Sequence, residues 1–181
     1  MNSNRKVILY IAMSLDGYIA RQDGDIGWLS LVEQTGEDYG YNDFIATVDT
    51  VILGRKTYDK VLSFGIGFPH ADKECYVITR SEIPSKEKIT FYNKDLKELV
   101  TTLKDKTGKN IFIDGGAEIV NELVKQNLID EYIISIIPIL LGNGIKLFND
   151  SAREQQLQCI NVQKFESGLV QLHYERNQSK E

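Results

Sequence analysis

We predict an α/β fold with a mixed, mostly parallel central sheet, flanked by helices and ending in an antiparallel hairpin. Two observations lead to this prediction. Short runs of apolar and β-branched residues alternate with segments of helical periodicity, which is typical of parallel strands joined by crossover helices. The last two apolar runs are separated only by Glu166, Ser167 and Gly168, a spacing typical of a hairpin.

The strand candidates are short segments rich in β-branched and other apolar residues. They are Lys6–Met13, Thr50–Leu53, Glu74–Ile78, Lys88–Phe91, Asn110–Ile113, Glu131–Ile137, Leu157–Phe165 and Leu169–Tyr174. In a sheet of this class a ligand usually binds at the carboxyl ends of the strands. The residues that follow each strand are therefore the first place to search for a functional site.

Four segments between the predicted strands are helix candidates, because they are short helical patterns or carry apolar residues at helical spacing. They are Asp38–Thr47, Lys56–Leu62, Asp95–Lys106 and Glu118–Asn127. Asp95 is the type of residue that caps a helix N-terminus, so we expect the third helix to begin there. The fourth segment has the clearest apolar face.

The chain has 181 residues, of which 42% are hydrophobic, and this suits a single domain over 1–181 with a core from about 5 to 176. The ends, Met1–Asn4 and Asn177–Glu181, are expected to be polar and frayed. Acidic residues outnumber basic ones by 26 to 21, and the net charge of -5 argues against binding to nucleic acid or to a membrane surface. An anionic ligand would need locally clustered cations.

The few cysteines and histidines limit the chemistry of the protein. Cys75 and Cys159 are too few for a disulfide framework, and we expect both to be reduced and buried. His70 and His173 lie far apart in sequence, so no metal site is expected. The first apolar run is too short for a membrane span, and we expect a cytoplasmic protein.

The clearest ligand signal follows the strand that ends at Leu53. It consists of Gly54, Arg55, Lys56 and Thr57, at the point where a helix is predicted to begin. A glycine lets a ligand approach the backbone, a helix N-terminus attracts anions, and arginine can bind a phosphate in a bidentate manner. The same residues would also suit an ordinary turn with a capping threonine and two solvated cations.

A second junction has the order strand, Gly115, Gly116, Ala117, Glu118 and helix. Two glycines before a helix allow a pyrophosphate or a nicotinamide ribose to pass close to the backbone. The spacing differs from the Gly-x-Gly-x-x-Gly motif of a Rossmann domain, and no acidic residue ends a strand about 20 residues later. An ordinary Rossmann site is therefore disfavoured.

Two further junctions complete the set. Thr79 and Arg80 follow the strand Glu74–Ile78, and an arginine there favours the 2′-phosphate of NADPH over NADH, although it could also be an exposed edge residue. Asp16 and Gly17 follow the first strand and taken alone indicate only a turn.

In this order the four segments resemble the dihydrofolate reductase superfamily, and most closely the reductase domain of riboflavin biosynthesis and its stand-alone relatives. Ser14–Ala20 resembles the first-strand signature of that reductase, and Leu53–Tyr58 resembles the phosphate-binding turn. Pro138–Phe148 is similar to a further segment of the riboflavin-type branch. The resemblance extends from Lys6 to about Tyr174 and implies the dihydrofolate-reductase-like α/β fold.

The resemblance also implies NADPH bound across the carboxyl edge of the sheet, with Arg55, Lys56 and Thr57 on phosphates and Thr79 and Arg80 on the 2′-phosphate. The resemblance also assigns cofactor contacts to residues at the ends of the first, second and fifth predicted strands. Backbone groups near Ala12 would orient the carboxamide, Gly54 would belong to the phosphate turn, and Gly115, Gly116, Ala117 and Glu118 would contact the pyrophosphate and nicotinamide side.

Three further features follow from the same resemblance. The Gly115–Gly116 peptide bond is expected to be cis. The segment Asp23–Trp28 resembles a mobile loop that closes over the nicotinamide, with Trp28 as its aromatic anchor. The riboflavin-type branch suggests a homodimer, and part of the apolar segment Ile133–Leu141 could line its interface although a buried strand is the simpler interpretation.

We therefore expect an NADPH-dependent reductase acting on a small heterocyclic substrate, similar to 5-amino-6-(5-phosphoribosylamino)uracil reductase. Asp16, Asp38 and Tyr41 are the candidates for gripping the substrate or relaying a proton, although an isolated carboxylate is usually structural or solvated. Two alternatives stay open: a dihydrofolate reductase, which would need Asp38 in an apolar pocket, and a non-catalytic NADP-binding protein.

Overall fold

The computed structural model describes residues 5–150 and 154–177. The predicted polar ends, Met1–Asn4 and residues 178–181, lie outside this range apart from Asn177. Ten strands are described: β1 Val7–Ser14, β2 Tyr18–Ala20, β3 Val48–Gly54, β4 Glu74–Ile78, β5 Ile89–Tyr92, β6 Asn110–Gly115, β7 Glu131–Ile137, β8 Ile145–Lys146, β9 Leu157–Lys164 and β10 Val170–Arg176.

Four α-helices lie between these strands, together with the 3-10 helix Gly27–Val32. They are α1 Tyr41–Ala46, α2 Arg55–Ser63, α3 Leu96–Asp105 and α4 Ala117–Lys125. Asp95 caps α3 by accepting a hydrogen bond of 2.8 Å from the backbone N–H of Glu98, as predicted. The first helix is shorter than predicted, and Asp38 lies in the turn before it.

Eight strands form one sheet in the order β5-β4-β3-β6-β1-β7-β10-β9. The strands from β5 to β7 pair in parallel, and β10 pairs antiparallel with both β7 and β9. This arrangement confirms the predicted α/β fold with its mixed, mostly parallel sheet and its C-terminal hairpin. The short strands β2 and β8 pair separately.

Apolar layers cover both faces of the sheet. On one face, α3 and α4 pack against β1 and β6 through residues such as Leu103, Val120 and Ile113. On the other face, Phe44 of α1 and Tyr58 of α2 pack against β3 and β4. The helices therefore cover the central strands on both faces, and the carboxyl ends of the strands are left to the loops.

The environments of the two cysteines differ. Cys75 is fully buried, as predicted, whereas Cys159 is exposed, so the prediction of a buried residue is wrong there. Cys159 lies on the edge strand β9, whose residues are all exposed because this strand lies outside the apolar layers that cover the central strands.

In the described residues, no helix has the length and apolar character needed to cross a membrane.

Candidate functional site

Three of the predicted strand-end junctions meet at one edge of the sheet. Strands β4, β3 and β6 are neighbours and pair in parallel, so that Gly54 lies beside Ile78 and Leu53 lies beside Gly115. Parallel strands end on the same side of a sheet. The segments that follow these strands, which begin at Arg55, Thr79 and Gly116, are therefore brought together in space.

The centre of this edge is lined by glycine. A Cβ atom on Gly54 would lie 3.3 Å from Cγ1 of Ile119, and one on Gly116 would lie 3.2 Å from Oγ1 of Thr57. Gly115 has a φ of 103°, which favours glycine, and the Gly115–Gly116 peptide bond is cis, as the resemblance implies. The glycines thus let β3, β6 and the N-termini of α2 and α4 pack closely together at this edge.

The carboxylate of Glu118 connects two of the junctions. Its Oε1 lies 3.5 Å from Nζ of Lys56, and its Oε2 lies 3.5 Å from Nη2 of Arg80. Both cationic side chains are 94% exposed, so these ion pairs contribute little to stability. Lys56 and Arg80 therefore remain free to turn towards a ligand.

Arg55 is held in a different manner. Its Nε donates hydrogen bonds of 2.8 Å to the carboxylate of Asp59, and its guanidinium lies 5.5 Å from the centre of the Phe91 ring. The contact with Phe91 of β5 extends the cationic edge across a fourth strand. Asp59 and Phe91 thus hold the guanidinium of Arg55 beside strand β5.

Two helices point their N-termini at the same edge. The N-cap residues of α2 and α4 are Gly54 and Gly116, and neither helix receives a capping hydrogen bond from a side chain at that position. The first N–H groups of a helix have no partner within the helix, and they carry partial positive charge. Together with Arg55, Lys56 and Arg80 they form a site suited to phosphate.

An open cleft of about 660 Å³ lies beside the central strands. Tyr10 and Ala12 of β1 and Ser135 and Ile137 of β7 form its floor, and the 3-10 helix and the segment 33–41 form its walls and rim. Since β1 is paired with β6, this floor is next to the strand that carries the glycine pair. The cleft and the cationic edge are therefore neighbouring parts of one sheet.

The floor of the cleft carries a network of neutral polar groups. The hydroxyl of Tyr10 donates a hydrogen bond of 2.9 Å to the carbonyl oxygen of Tyr39. Nε2 of Gln171, on β10, lies within 3.2 Å of the hydroxyl oxygens of Tyr10 and Ser135 and 3.1 Å from the same carbonyl. These contacts fix the orientation of groups that face the cleft.

Asp38 and Tyr41, two of the predicted catalytic residues, line the cleft. The carboxylate of Asp38 accepts hydrogen bonds of 3.0 Å from the backbone N–H of Asn42 and 2.9 Å from that of Gly40, which lower its pKa. Burial raises the pKa of Tyr41 to about 12, with a further contribution from the charge of Asp114. Asp38 is thus ionised and Tyr41 protonated at neutral pH.

Asp16, the third predicted catalytic residue, is not among the described residues that line the cleft. Its Oδ1 accepts hydrogen bonds from the hydroxyl of Ser14 at 2.5 Å and from the backbone of Leu141 at 3.1 Å, and its Oδ2 accepts one of 2.7 Å from the backbone of Gly142. These contacts, led by the one with Ser14, lower its pKa. A catalytic role for Asp16 remains a prediction.

The structure adds a pair that the sequence did not indicate. Asp114 is the last residue before the glycine pair, and its Oδ2 lies 3.4 Å from Nε2 of His70. His70 is 3% exposed and packs between the rings of Phe68 and Phe112, and its Nδ1 has no hydrogen-bond partner among the described residues. The position of Asp114 at a strand end was a usable signal, whereas nothing in the sequence linked His70 to it.

Trp28, the predicted anchor of the mobile loop, lies in the 3-10 helix and is 4% exposed. It packs with Val32, Ile137 and Leu169, all three of which line the cleft. Trp28 therefore fixes the segment that forms one wall of the cleft. The closing motion itself remains a prediction.

The fold and the site together define an α/β protein with a cationic, glycine-lined sheet edge beside an open cleft. The chain belongs to the family of the RibD C-terminal domain, whose model matches residues 5–63 and 68–171. It is 49% identical to YwjB of Bacillus subtilis (strain 168) over 173 residues, which cover 95% of this chain and 98% of YwjB. It is 32% identical to YyaP of the same organism over 187 residues, covering 96% of each chain.

Solved structures agree with this assignment. A Shewanella sp. PV-4 protein whose name links it to riboflavin biosynthesis has a TM-score of 0.87 and 32% identity, with coverage of 96% of this chain and 99% of that one. The bifunctional diaminohydroxyphosphoribosylaminopyrimidine deaminase/5-amino-6-(5-phosphoribosylamino)uracil reductase of Thermotoga maritima has a TM-score of 0.71 and 18% identity, with coverage of 95% and 56%. The second likeness shows the fold alone.

Proposed function

We propose that this protein is an NADPH-dependent reductase of a small heterocyclic substrate, similar in reaction to 5-amino-6-(5-phosphoribosylamino)uracil reductase. One observation carries the proposal: the junctions at Arg55, Arg80 and Gly115 converge on one sheet edge, next to an open cleft. The name of the Thermotoga neighbour includes this reductase activity, and membership of the RibD C-terminal domain family supports it.

The residues at the edge fit a phosphorylated dinucleotide. Side chains at Gly54 and Gly116 would come within 3.3 Å of Ile119 and Thr57, so the glycines let the N-termini of α2 and α4 pack closely together at the strand ends. Arg55, Lys56 and Thr57 would hold phosphates with the N-terminus of α2, and Thr79 and Arg80 would hold the 2′-phosphate. Gly115–Glu118 would contact the pyrophosphate and nicotinamide side, and Ala12 the carboxamide. Bound NADPH would supply a hydride.

The cleft would hold and orient the substrate. The apolar side chain of Ala12 can contact the face of a ring, while the hydroxyls of Tyr10 and Ser135 can bind its polar edge. Tyr41 keeps its proton at neutral pH and can donate a hydrogen bond. Asp114 directly precedes the glycine pair, and its charge contributes to the raised pKa of Tyr41, so we add it to Asp38 and Tyr41 as a candidate catalytic residue.

Nothing in the site favours the dihydrofolate reductase alternative. Asp38 is exposed at the rim of the cleft and is bound by two backbone N–H groups, instead of lying in an apolar pocket. A non-catalytic NADP-binding protein would share the cofactor edge and differ only in turnover. We also propose that the protein works as a single-domain homodimer in the cytoplasm.

The proposal is tested by isothermal titration of the purified protein with NADPH and with NADH. We expect NADPH to bind more tightly, and Arg80→Ala to reduce the preference for NADPH about tenfold because a charged contact to the 2′-phosphate is lost. Lys125→Ala is the matched control, since Lys125 is an exposed cation at the C-terminal end of α4, the end of this helix that lies away from the strand ends.

Two results would contradict the proposal. If neither nucleotide binds at millimolar concentration, the edge is not a dinucleotide site. If NADPH binds but Arg80→Ala changes the preference no more than Lys125→Ala does, the assignment of Arg80 to the 2′-phosphate is wrong.

A further inference from the structure

The charges of the cleft are all of one sign. Among the fourteen described residues that line it, three are carboxylates, Glu33, Glu37 and Asp38, and none is lysine or arginine. The other lining residues are uncharged, including the tyrosines and Ser135 of the floor. Within the described parts of the chain, a ligand in this cleft therefore meets negative charge without a compensating cation.

The negative charge reaches the floor of the cleft. The pKa of Tyr10 is raised mainly by burial, against the hydrogen bond from Gln171, and the charges of Asp38 and Glu37 raise it further. The backbone N–H groups of Asn42 and Gly40 keep Asp38 ionised. The carboxylate of Glu33 makes no hydrogen bond or ion pair with other described residues, so it is available to a ligand.

The cations of the site lie elsewhere. Arg55, Lys56 and Arg80 are at the ends of β3 and β4, which are separated from the floor strand β1 by β6. A phosphate placed in the cleft would be repelled by the carboxylates and would have no cation within the lining. The distribution of charge thus separates a region for phosphates from a region for the substrate.

We infer that the cleft takes a flat heterocycle that carries positive charge and no phosphate group. This inference rests on the proposed function, because it assigns the cleft to the substrate and the cationic edge to the cofactor. It departs from the phosphorylated substrate named for the Thermotoga neighbour. The apolar and neutral polar groups of the floor bind the ring, and the acidic rim selects its charge.

The test uses two matched pairs of probes in isothermal titrations at neutral pH, with and without saturating NADPH. The first pair is the permanently charged 1,3-dimethylbenzimidazolium and the uncharged 1-methylbenzimidazole. The second pair is uridine 5′-monophosphate and uridine. We expect the cation to bind about tenfold more tightly than its neutral partner and the nucleotide to bind more weakly than uridine.

Variants locate the effect in the cleft. Glu33→Gln and Glu37→Gln are each expected to weaken binding of the benzimidazolium cation about threefold to tenfold, and added salt should weaken it too. Asp43→Asn is the matched control, because it removes an exposed carboxylate of the neighbouring helix α1 that does not line the cleft. The carboxylate of Glu33 has no hydrogen bond or ion pair among the described residues to lose, and the backbone contact of Glu33 with Ser30 is kept in the variant, so Glu33→Gln tests charge and not folding.

The inference is overturned if the cation fails to bind at millimolar concentration, if it binds no better than its neutral partner, or if uridine 5′-monophosphate binds more tightly than uridine. It is also overturned if Glu33→Gln and Glu37→Gln act no more strongly than Asp43→Asn. Failure of the proposed function is a separate result: NADPH then does not bind, whatever the preference among the four probes.

Discussion

The hydroxyl of Ser14 donates a hydrogen bond of 2.5 Å to Oδ1 of Asp16. The same carboxylate accepts hydrogen bonds from the backbone N–H groups of Leu141 and Gly142, which lie after β7. Asp16 therefore joins the turn after β1 to a distant segment of the chain. Its position favours a role in maintaining the loops around β2 and β8.

Replacement of Asp16 by alanine is expected to loosen this connection without unfolding the sheet. The amide protons of Leu141 and Gly142 should exchange with solvent at least tenfold faster, because they lose their acceptor. The measurement is hydrogen exchange followed by nuclear magnetic resonance. Asp43→Ala, at an exposed site, is the control, and equal exchange in the two variants would contradict the structural role.

The stabilisation that the Asp16 carboxylate provides should be lost in acid. The pKa of Asp16 is lowered in the folded protein, so the contribution of Asp16 to stability is present above its ordinary value near 3.8 and is lost as the pH falls through the lowered pKa. The parent protein should therefore have a larger free energy of unfolding than Asp16→Ala at neutral pH. This difference should shrink as the pH is lowered below 4.

Gly54→Ala should reduce NADPH binding more than it reduces stability. Gly54 has an extended backbone that alanine can adopt, but the new methyl group would lie 3.3 Å from Ile119 and 3.8 Å from the carbonyl oxygen of Gly115. We expect a loss of about 1 kcal/mol in unfolding free energy and about tenfold in NADPH affinity. Urea denaturation and calorimetry measure the two quantities, and unchanged affinity would exclude Gly54 from the cofactor edge.

Stability should fall steeply in alkaline solution. Burial raises the pKa of Cys75 from 9.0 to about 12, and that of Tyr41 and of Tyr132 from 10.0 to about 12. A group whose pKa is raised by folding stabilises the protein fully below its ordinary pKa, and this contribution is lost as the pH rises through the higher value. The free energy of unfolding should therefore decline between about pH 9 and 12.

The part of this decline that begins near pH 9 belongs to Cys75, because the tyrosines start to contribute only near pH 10. Cys75→Ala should flatten the dependence between these two values, whereas Cys159→Ala, at the exposed cysteine, should leave it unchanged. Urea denaturation under reducing conditions provides the measurement. A parent and a Cys75→Ala curve of equal slope would disprove the assignment.

The proposed homodimer has a natural surface on β9. This strand forms the edge of the sheet and exposes Leu157, Ile160 and Val162, with exposed fractions of 37%, 48% and 57%. We expect Val162→Lys to shift the protein from dimer to monomer in sedimentation velocity, because a charge would be buried at the interface. Gln163→Lys is the control on the same strand, and a monomeric parent protein would refute the proposal.

The sequence was sufficient for the main elements because their signals are local. The boundaries of β4 and β7 match the predicted segments, since the apolar and β-branched run of β4 ends at the polar residues Thr79 and Arg80 and that of β7 ends at Pro138. Strands β2 and β8 were missed, as they contain only three and two residues and depend on pairing with each other. Cys159 was placed in the core because the apolar character of β9 gives no indication that it is an edge.

The candidate site was predictable to the extent that it consists of strand-end motifs. Gly54 to Thr57 and Gly115 to Glu118 could be recognised because strand, glycine and helix follow each other along the chain. The contact between His70 and Asp114 joins residues on separate elements, and no local pattern predicts it. The acidic character of the cleft likewise depends on which loop residues face the same space.

The position of β1 in the middle of the sheet affects how the protein is made. Residues 7–9 of this first strand pair with residues 111–113, and 8–14 pair with 131–137. During synthesis the ribosome therefore releases the central strand long before either of its neighbours exists. The central strands can pair completely only when about three quarters of the chain has emerged from the ribosome. Until then the apolar residues of the early strands stay exposed, which gives more time for aggregation or for binding to a chaperone.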